Sequence, residues 1–404
     1  MQQSSTEKVS VRRRFVPSLT LAYFSTFSLD FLVSLLLLDV TLTFFGSKDA
    51  LHVAIVSQIS TISSVASVIV GVLIAVLSVR FSRKLLLLVG ALFIPIGIVG
   101  CMLAPNFLFV QIFFPFDGIG SVIVGSMAFA IAGEVLPLSR RAKAIGFIVS
   151  GANLAIFTGS IFIRYFFAAG DWRSFLLWFA LPVSLFAFFF VYFGVPSMPS
   201  KQESSVGKAA YYKSFKEVFL NRSATACLVG NMTRHAGFVW GTVFSATFFR
   251  LQFGLPLATV ALFALGGTLL FALGNIVGGH LVDRVGRKRL VVLCFILVGA
   301  FIAALVYVSN VWVAVAFSFA SNLAGGLGAA GSLNMTVEQV PKNRGTIMSM
   351  SSVFVPFGAA IGAAVGGAVL AFSGSYQTLA LTFVAFNFAA AAIYFTLTKD
   401  PCRI

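Results

Sequence analysis

The sequence predicts an all-α membrane protein: twelve transmembrane helices arranged as two pseudo-symmetric six-helix bundles. Three observations lead there. Of 404 residues, 59% are hydrophobic and only 10% charged, where a soluble globular chain carries about 25% charged residues. Apolar runs of about 17–25 residues, enough to cross a ~30 Å hydrocarbon core, recur along the whole length. Sliding the sequence by 204 residues superimposes several of its connecting segments. Lipid must therefore solvate most of the surface. The 46 phenylalanines suit that solvent, since a phenyl ring carries no polar group to satisfy.

The segments follow in order. Residues 1–16 are polar and end in Arg12-Arg13-Arg14. The apolar stretch from 17 to 45 is too long for a signal-peptide core of about 7–15 residues and lacks a small-residue cleavage site. It is expected to be a retained first helix. Helices two to six are expected at 52–79, 85–104, 107–133, 144–168 and 174–196. A polar segment, 197–222, follows Pro196, contains Pro199 and five basic residues, and reads as a linker. Helices seven to twelve are expected at 223–249, 257–282, 290–309, 312–336, 346–371 and 378–397. The expected division is thus 1–196, an N-terminal bundle, 197–222, a cytoplasmic linker, and 223–404, a C-terminal bundle.

The formal net charge is +16. In a soluble protein this would suggest nucleic acid; here the placement of the charges argues otherwise. Of the 28 Lys and Arg residues, 23 fall in alternate connections and the termini, and only Lys48, Arg173 and Arg250 in the opposite loops. The positive-inside rule then places both termini in the cytoplasm of a cell-membrane protein. The four cysteines, Cys101, Cys227, Cys294 and Cys402, are far apart and suggest neither a disulfide framework nor a metal site. No cofactor, metal or nucleic-acid partner is expected, and a monomer in the bilayer is.

Under the 204-residue offset Arg80, Arg83 and Lys84 fall on Arg284, Arg287 and Lys288, and Glu134, Pro137 and Arg140 on Glu338, Pro341 and Arg344. Asn106 falls on Asn310 and Gly170 on Gly374. Parallel repeats about an axis along the membrane normal are one plan of secondary transporters, with the substrate path between them.

Residues 279–289 read Gly-His-Leu-Val-Asp-Arg-Val-Gly-Arg-Lys-Arg. This resembles the G-x-L-x-D-R-x-G-R-K signature loop of the major facilitator superfamily. With twelve helices and the six-plus-six repeat, the resemblance covers the whole chain. It implies that Gly279, Asp283, Arg284, Gly286, Arg287 and Lys288, with Glu338 and Arg344 at the next turn on that side, latch a cytoplasmic gate. The other copy, 77–84, departs from the pattern: Val79 stands in the place of the acid and Ser82 in the place of the second glycine. The fourth helix departs too. Where many proton-coupled exporters of the superfamily have R-x-x-Q-G, this chain has Phe114-Pro115-Phe116-Asp117-Gly118. The runs 338–345 and 171–173 resemble the drug and metabolite efflux branch.

Ionisable groups inside apolar helices are costly, about 2.5–3.5 kcal/mol each at the bilayer centre on insertion scales, and so point to function. Asp30, Asp117, Arg234 and His235 occupy the middles of helices one, four and seven. The offset sets Asp30 on Arg234, which suggests an acid and a base facing each other across a cavity as a pair in the empty carrier. Asp39 and Arg164 lie nearer the outer surface. Glycine rows in the fifth helix (Gly146, Gly151, Gly159) and the eleventh (Gly358, Gly362, Gly366) suit either a rocking cavity wall or close packing.

The expected function is secondary transport by alternating access: efflux of a small organic compound, with proton coupling through Asp30, Asp117 or His235. Uptake or exchange of a small organic ion is the alternative. No Walker A motif is present. The membrane subunit of an ATP-driven transporter and an integral membrane enzyme are weaker alternatives, since neither a coupling loop nor a nucleophile or metal constellation stands out.

Overall fold

The computed structural model describes residues 14–136, 138–166, 171–196, 215–341 and 344–400; within these, the side chains at 75, 76, 79, 138–143 and 283 are not described. The described residues are helical, without strands. We number the twelve helical passages α1 to α12. They are α1 (15–45), α2 (Ala50–Arg80), α3 (Arg83–Met102), α4 (Phe107–Val135), α5 (Leu138–Phe166) and α6 (Trp172–Gly194), then α7 (222–252), α8 (Leu257–Val285), α9 (Arg287–Tyr307), α10 (Val311–Glu338), α11 (Arg344–Ser373) and α12 (Tyr376–Leu397). Ten of these are long and apolar enough to cross a membrane. The other two, α1 and α7, are interrupted, and they carry Asp30, Arg234 and His235.

The expected single first helix is corrected by the structure to three pieces: Phe15–Ser25, Phe31–Ser34 and Leu37–Phe45. Local chemistry explains the first break. Ser25 Oγ donates to the Ala22 carbonyl (2.8 Å) and Thr26 Oγ1 to the Tyr23 carbonyl (2.7 Å), and such side-chain bonds compete with the helical ladder. α7 holds a π-helical turn at Trp240–Phe244, and α6 one at Leu176–Ala180.

Asparagine and serine caps start several helices where the sequence turns. Asn106 accepts from Phe109 N, Asn310 from Trp312 N and Ser375 from Thr378 N, satisfying amides that a helix leaves unpaired. Asn106 and Asn310 are repeat mates.

The repeat is visible in the packing. In the first half α3 packs on α4, α2 on α4, α1 on α5 and α6, and α3 on α6. Each pair recurs six helices later: α9 on α10, α8 on α10, α7 on α11 and α12, α9 on α12. The halves are joined by α2 with α11 and α5 with α8, which exchange with each other under the same shift, and by α1 with α7, through the Phe31–Ser34 and Trp240–Phe244 turns. The glycine rows are the close-approach points. A Cβ on Gly151 would overlap the Thr20 carbonyl on α1, and one on Gly358 or Gly362 would overlap the Met232 or Ala236 carbonyl on α7.

α3, α6, α9 and α12 turn large apolar side chains outward, among them Leu92, Phe186, Phe193, Leu293 and Phe395. In water such exposure costs about 25 cal/mol per Å²; in lipid it is the solvated state. Tyr165, Trp178, Tyr307 and Trp312 lie exposed near the ends of their helices opposite the basic loops, the level where amphipathic rings favour a membrane interface.

The halves share one buried apolar cluster at the face opposite the basic loops. There Phe31, Leu35 and Leu36 of α1 belong with Trp240, Phe244 and Phe248 of α7 and Leu370 of α11. Toward the basic face the C-terminal half instead keeps two clusters of its own, around Phe295 and Tyr394 and around Leu228 and Ile347. Among the described residues a buried apolar cluster thus spans the halves toward one face, and none does so toward the other.

Candidate transport pathway

The break in α1 places Asp30 at the start of the short Phe31–Ser34 turn. Asp117 lies in α4, two residues after Pro115, with 2% of its surface exposed. Ser121 is one turn further along the same face of α4, and its hydroxyl donates to the Thr26 carbonyl in the break (3.1 Å). That bond turns the Asp117 face of α4 toward α1. Asp30 and Asp117 consequently lie within electrostatic reach of each other, and Cys101 of α3 borders Asp117. Asp117 Oδ1 and Ser28 Oγ are buried and have no hydrogen-bond partner. The first half therefore holds two neighbouring acids and two unused polar atoms at the opened turn.

The second half holds the base. Asn231 Nδ2 donates to Thr336 Oγ1 of α10 (2.9 Å). His235 Nδ1 donates to the Asn231 carbonyl (2.9 Å), which leaves Nε2 to accept from Arg234 Nη2 (3.1 Å). Tyr394 of α12, fully buried, donates to the Cys227 carbonyl (3.3 Å) and lies within electrostatic reach of Arg234. Arg234 Nε is buried without a partner.

The expected Asp30–Arg234 pair is not formed. Among the described residues no carboxylate lies within ion-pair distance of Arg234. The reason is directional: Asp30 faces α4 inside its own bundle, and Arg234 turns toward His235 and Tyr394 inside the other. Charge is therefore segregated, acidic in one half and basic in the other.

An ion pair does join the halves, at two residues outside the predicted site. Arg250 Nη1 and Nη2 bond Asp39 Oδ2 and Oδ1 at 2.5 and 2.9 Å, with side chains only 13% and 10% exposed. Arg250, expected in a loop, belongs to the last helical piece of α7, Ser245–Gln252. Beside it, Gln58 Nε2 of α2 donates to the Ala363 carbonyl of α11 (3.2 Å). The legible signal was an acid and a base each within two turns of a helix end on the same face; which of them meet was not encoded in either segment.

At the basic face the repeat mates form matched ion pairs. Arg83 bonds Glu134 at 2.5 Å and Arg287 bonds Glu338, each within its own bundle. Glu338 thus pairs with Arg287, while Arg344 opens α11 with its side chain exposed. Gly286 turns at φ +91°, a conformation that disfavours a Cβ. Its repeat mate Ser82 instead sits at φ −64° and caps α3 by accepting from Leu85 N. Lys288 Nζ donates to the Thr398 carbonyl (2.8 Å), tying the start of α9 to the end of α12. Gly279 and Arg284 are exposed. The Asp283 side chain, Pro137, and residues 197–214 of the expected linker lie outside the described residues.

The motif Asp171-Trp172-Arg173 closes loops of the first half. Arg173 donates to the carbonyls of Met102 and Ala104 (3.2 and 2.9 Å), and Trp172 Nε1 to Thr43 Oγ1 (3.0 Å).

A twice-repeated helical bundle, ionisable groups midway along its passages and ion pairs at both faces suit a membrane carrier. The family model of the Major Facilitator Superfamily matches residues 16–271 and 236–402, and the chain belongs to that superfamily, as a multi-pass membrane protein. An uncharacterised MFS-type transporter, YwfA of Bacillus subtilis (strain 168), is 31% identical over 142 residues, 35% of this chain and 33% of that relative. The chain thus matches about a third of the length of this curated relative. The crystal structure of a D-xylose-proton symporter is similar with a TM-score of 0.82 at 13% identity, over 97% of this chain and 99% of that one. A bacterial homologue of the human lysosomal transporter Spinster, inward-facing and unoccupied, gives 0.76 at 16% identity, over 96% and 97%. At these identities the likeness is one of fold.

Proposed function

We propose that the chain exports a small organic compound from the cytoplasm by alternating access, coupled to protons. The two rocking units are 1–196 and 223–404, joined by the cytoplasmic segment 197–222, in a monomer with both termini inside the cell membrane. The observation that carries this reading is the asymmetry of closure. A shared apolar core and the Asp39–Arg250 pair tie the halves together at one face, while among the described residues the pairs Arg83–Glu134 and Arg287–Glu338 of the other face each lie within one bundle. A carrier in such a state opens to the basic side, and breaking one set of contacts while making another exchanges access.

Asp30 and Asp117 are the coupling groups of this reading. Two buried acids without a cation disfavour simultaneous ionisation, so a proton is held between them when the site is dry. His235 orients Arg234 rather than relaying a proton, because its Nδ1 proton is committed to the Asn231 carbonyl. Asp283, in the signature loop, favours the cytoplasm-closed state. Export is supported by the efflux-branch resemblance of 338–345 and 171–173. Uptake or exchange of a small organic ion is the second reading, favoured by the uncancelled charge of Arg234.

The test is flux in proteoliposomes across a compound panel, with and without a pH gradient. Proton-driven efflux in the wild type, lost in Asp30→Asn and Asp117→Asn while counterflow persists, is the expected result. Flux indifferent to the gradient in all three proteins would remove the coupling, and no flux of any compound would remove the carrier.

A further inference from the structure

We infer that the solute this carrier binds is an organic anion, its acidic group held by Arg234. The inference deepens the transporter reading and rests on it.

Arg234 sits midway along a membrane passage, where a positive charge persists only if something compensates it. Its neighbours orient it without cancelling its charge. His235 offers the lone pair of Nε2, and because Nδ1 already gives its proton to the Asn231 carbonyl, this ring is a neutral acceptor. Tyr394 spends its own proton on the Cys227 carbonyl, so the phenol presents only lone pairs to the guanidinium. Nε stays buried without a partner. No acid of the described residues lies within ion-pair distance of Arg234, and the two mid-membrane acids, Asp30 and Asp117, belong to the opposite bundle, within electrostatic reach of each other.

The packing of α7 keeps this arrangement accessible. Met232 and Ala236 are covered by α11, and Gly230 and Gly237 by Tyr394 and Asn387 of α12. Nearby on α7, Asn231 bonds Thr336 of α10 and Phe238 packs on Phe271 of α8, and Arg234 and His235 are only half-buried. A guanidinium fixed on neutral acceptors, with a donor unused and one edge open, is a receptor for a carboxylate-like group, whose oxygens match its planar donors. The counter-charge absent from the protein then arrives with the solute.

The test uses the purified full chain and two isosteric series, hexanoate, hexanamide and hexylamine, and benzoate, benzamide and benzylamine, read by thermal unfolding and by flux in proteoliposomes. Carboxylates are expected to raise the melting temperature of the wild type while amides and amines do not. Arg234→Gln should lose the carboxylate shift, and Arg234→Lys should keep a weakened one at higher concentration. Ligand-free Arg234→Gln should melt no lower than the wild type, because an uncompensated charge has been removed. Should Arg234→Gln not survive purification, the Arg234→Lys comparison decides, a carboxylate shift of wild-type strength there counting against the assignment. The inference is overturned if amides or amines stabilise as well as carboxylates, if the carboxylate shift survives in Arg234→Gln, or if millimolar carboxylate leaves the wild type unmoved. If an amide or amine binds and crosses the vesicle, the carrier stands and the anion assignment falls. If carboxylates bind and none crosses, the anion site stands and the carrier falls.

Discussion

Two ion pairs of similar length do different things in this molecule. Asp39–Arg250 spans the halves in a nearly dry setting, whereas Arg83–Glu134 lies within one bundle with its side chains 30% and 36% exposed. Removing one partner of a buried pair leaves the other charge stranded, at about 3–5 kcal/mol when burial is complete; with some solvent access, we expect about 1–3 kcal/mol for Asp39→Asn. The same change should open the face that this pair ties together, so a cysteine replacing Gln58 should react faster with an impermeant thiol reagent added from that side. The exchanged double variant, Asp39→Arg with Arg250→Asp, should recover both melting temperature and protection. By contrast Glu134→Gln should cost less than about 1 kcal/mol, measured by the same melt. The mid-membrane charges Asp30, Asp117, Arg234 and His235 were legible from the sequence because they interrupt apolar runs. Their partners were not, because a linear pattern gives depth in the bilayer but not the direction a side chain faces.

Among the helices, α1 and α11 show opposite uses of small residues. The serine and threonine hydroxyls of α1 open its ladder, while the glycines of α11 let α7 approach until their backbones touch. Gly358→Ala would drive a methyl into the Met232 carbonyl and should lower the melting temperature of the purified protein, at a cost of about 1–3 kcal/mol typical of overpacking. Gly146 of α5 is exposed with nothing within 4 Å of a built Cβ, so Gly146→Ala should be neutral or stabilise by about 0.5–1 kcal/mol. The contrast, read in one thermal series, separates packing from helix propensity. Gly286→Ala strains a residue at φ +91°; about 1–3 kcal/mol is expected, and a signature-loop role adds slowed transport to the loss. Its repeat mate tolerates a serine because the chain there takes an extended, capping conformation, a difference in backbone that the alignment of the two loops showed only as a missing glycine.

Across the whole molecule the duplicated plan organises both packing and charge. Arg83 and Glu134 pair, and so do the residues 204 positions later. The basic loops imply an orientation that can be checked directly: in intact cells, an impermeant thiol reagent should label a cysteine at position 48 and spare one at position 205. Labelling at 205 would invert the topology. Fold class, helix number, the duplication and the position of Asp30, Asp117, Arg234 and His235 midway along their apolar segments follow from the sequence by itself, because the bilayer imposes length and polarity on every segment separately. Only the tertiary structure decided that Asp30 lies within electrostatic reach of Asp117 and forms no pair with Arg234, and that Asp39 reaches Arg250 across the two halves. Those outcomes depend on how helices rotate about their axes and which close approaches their small residues permit, and such rotations are set by contacts between segments far apart in the chain, 95 residues for Ser121 with Thr26 and 211 for Arg250 with Asp39.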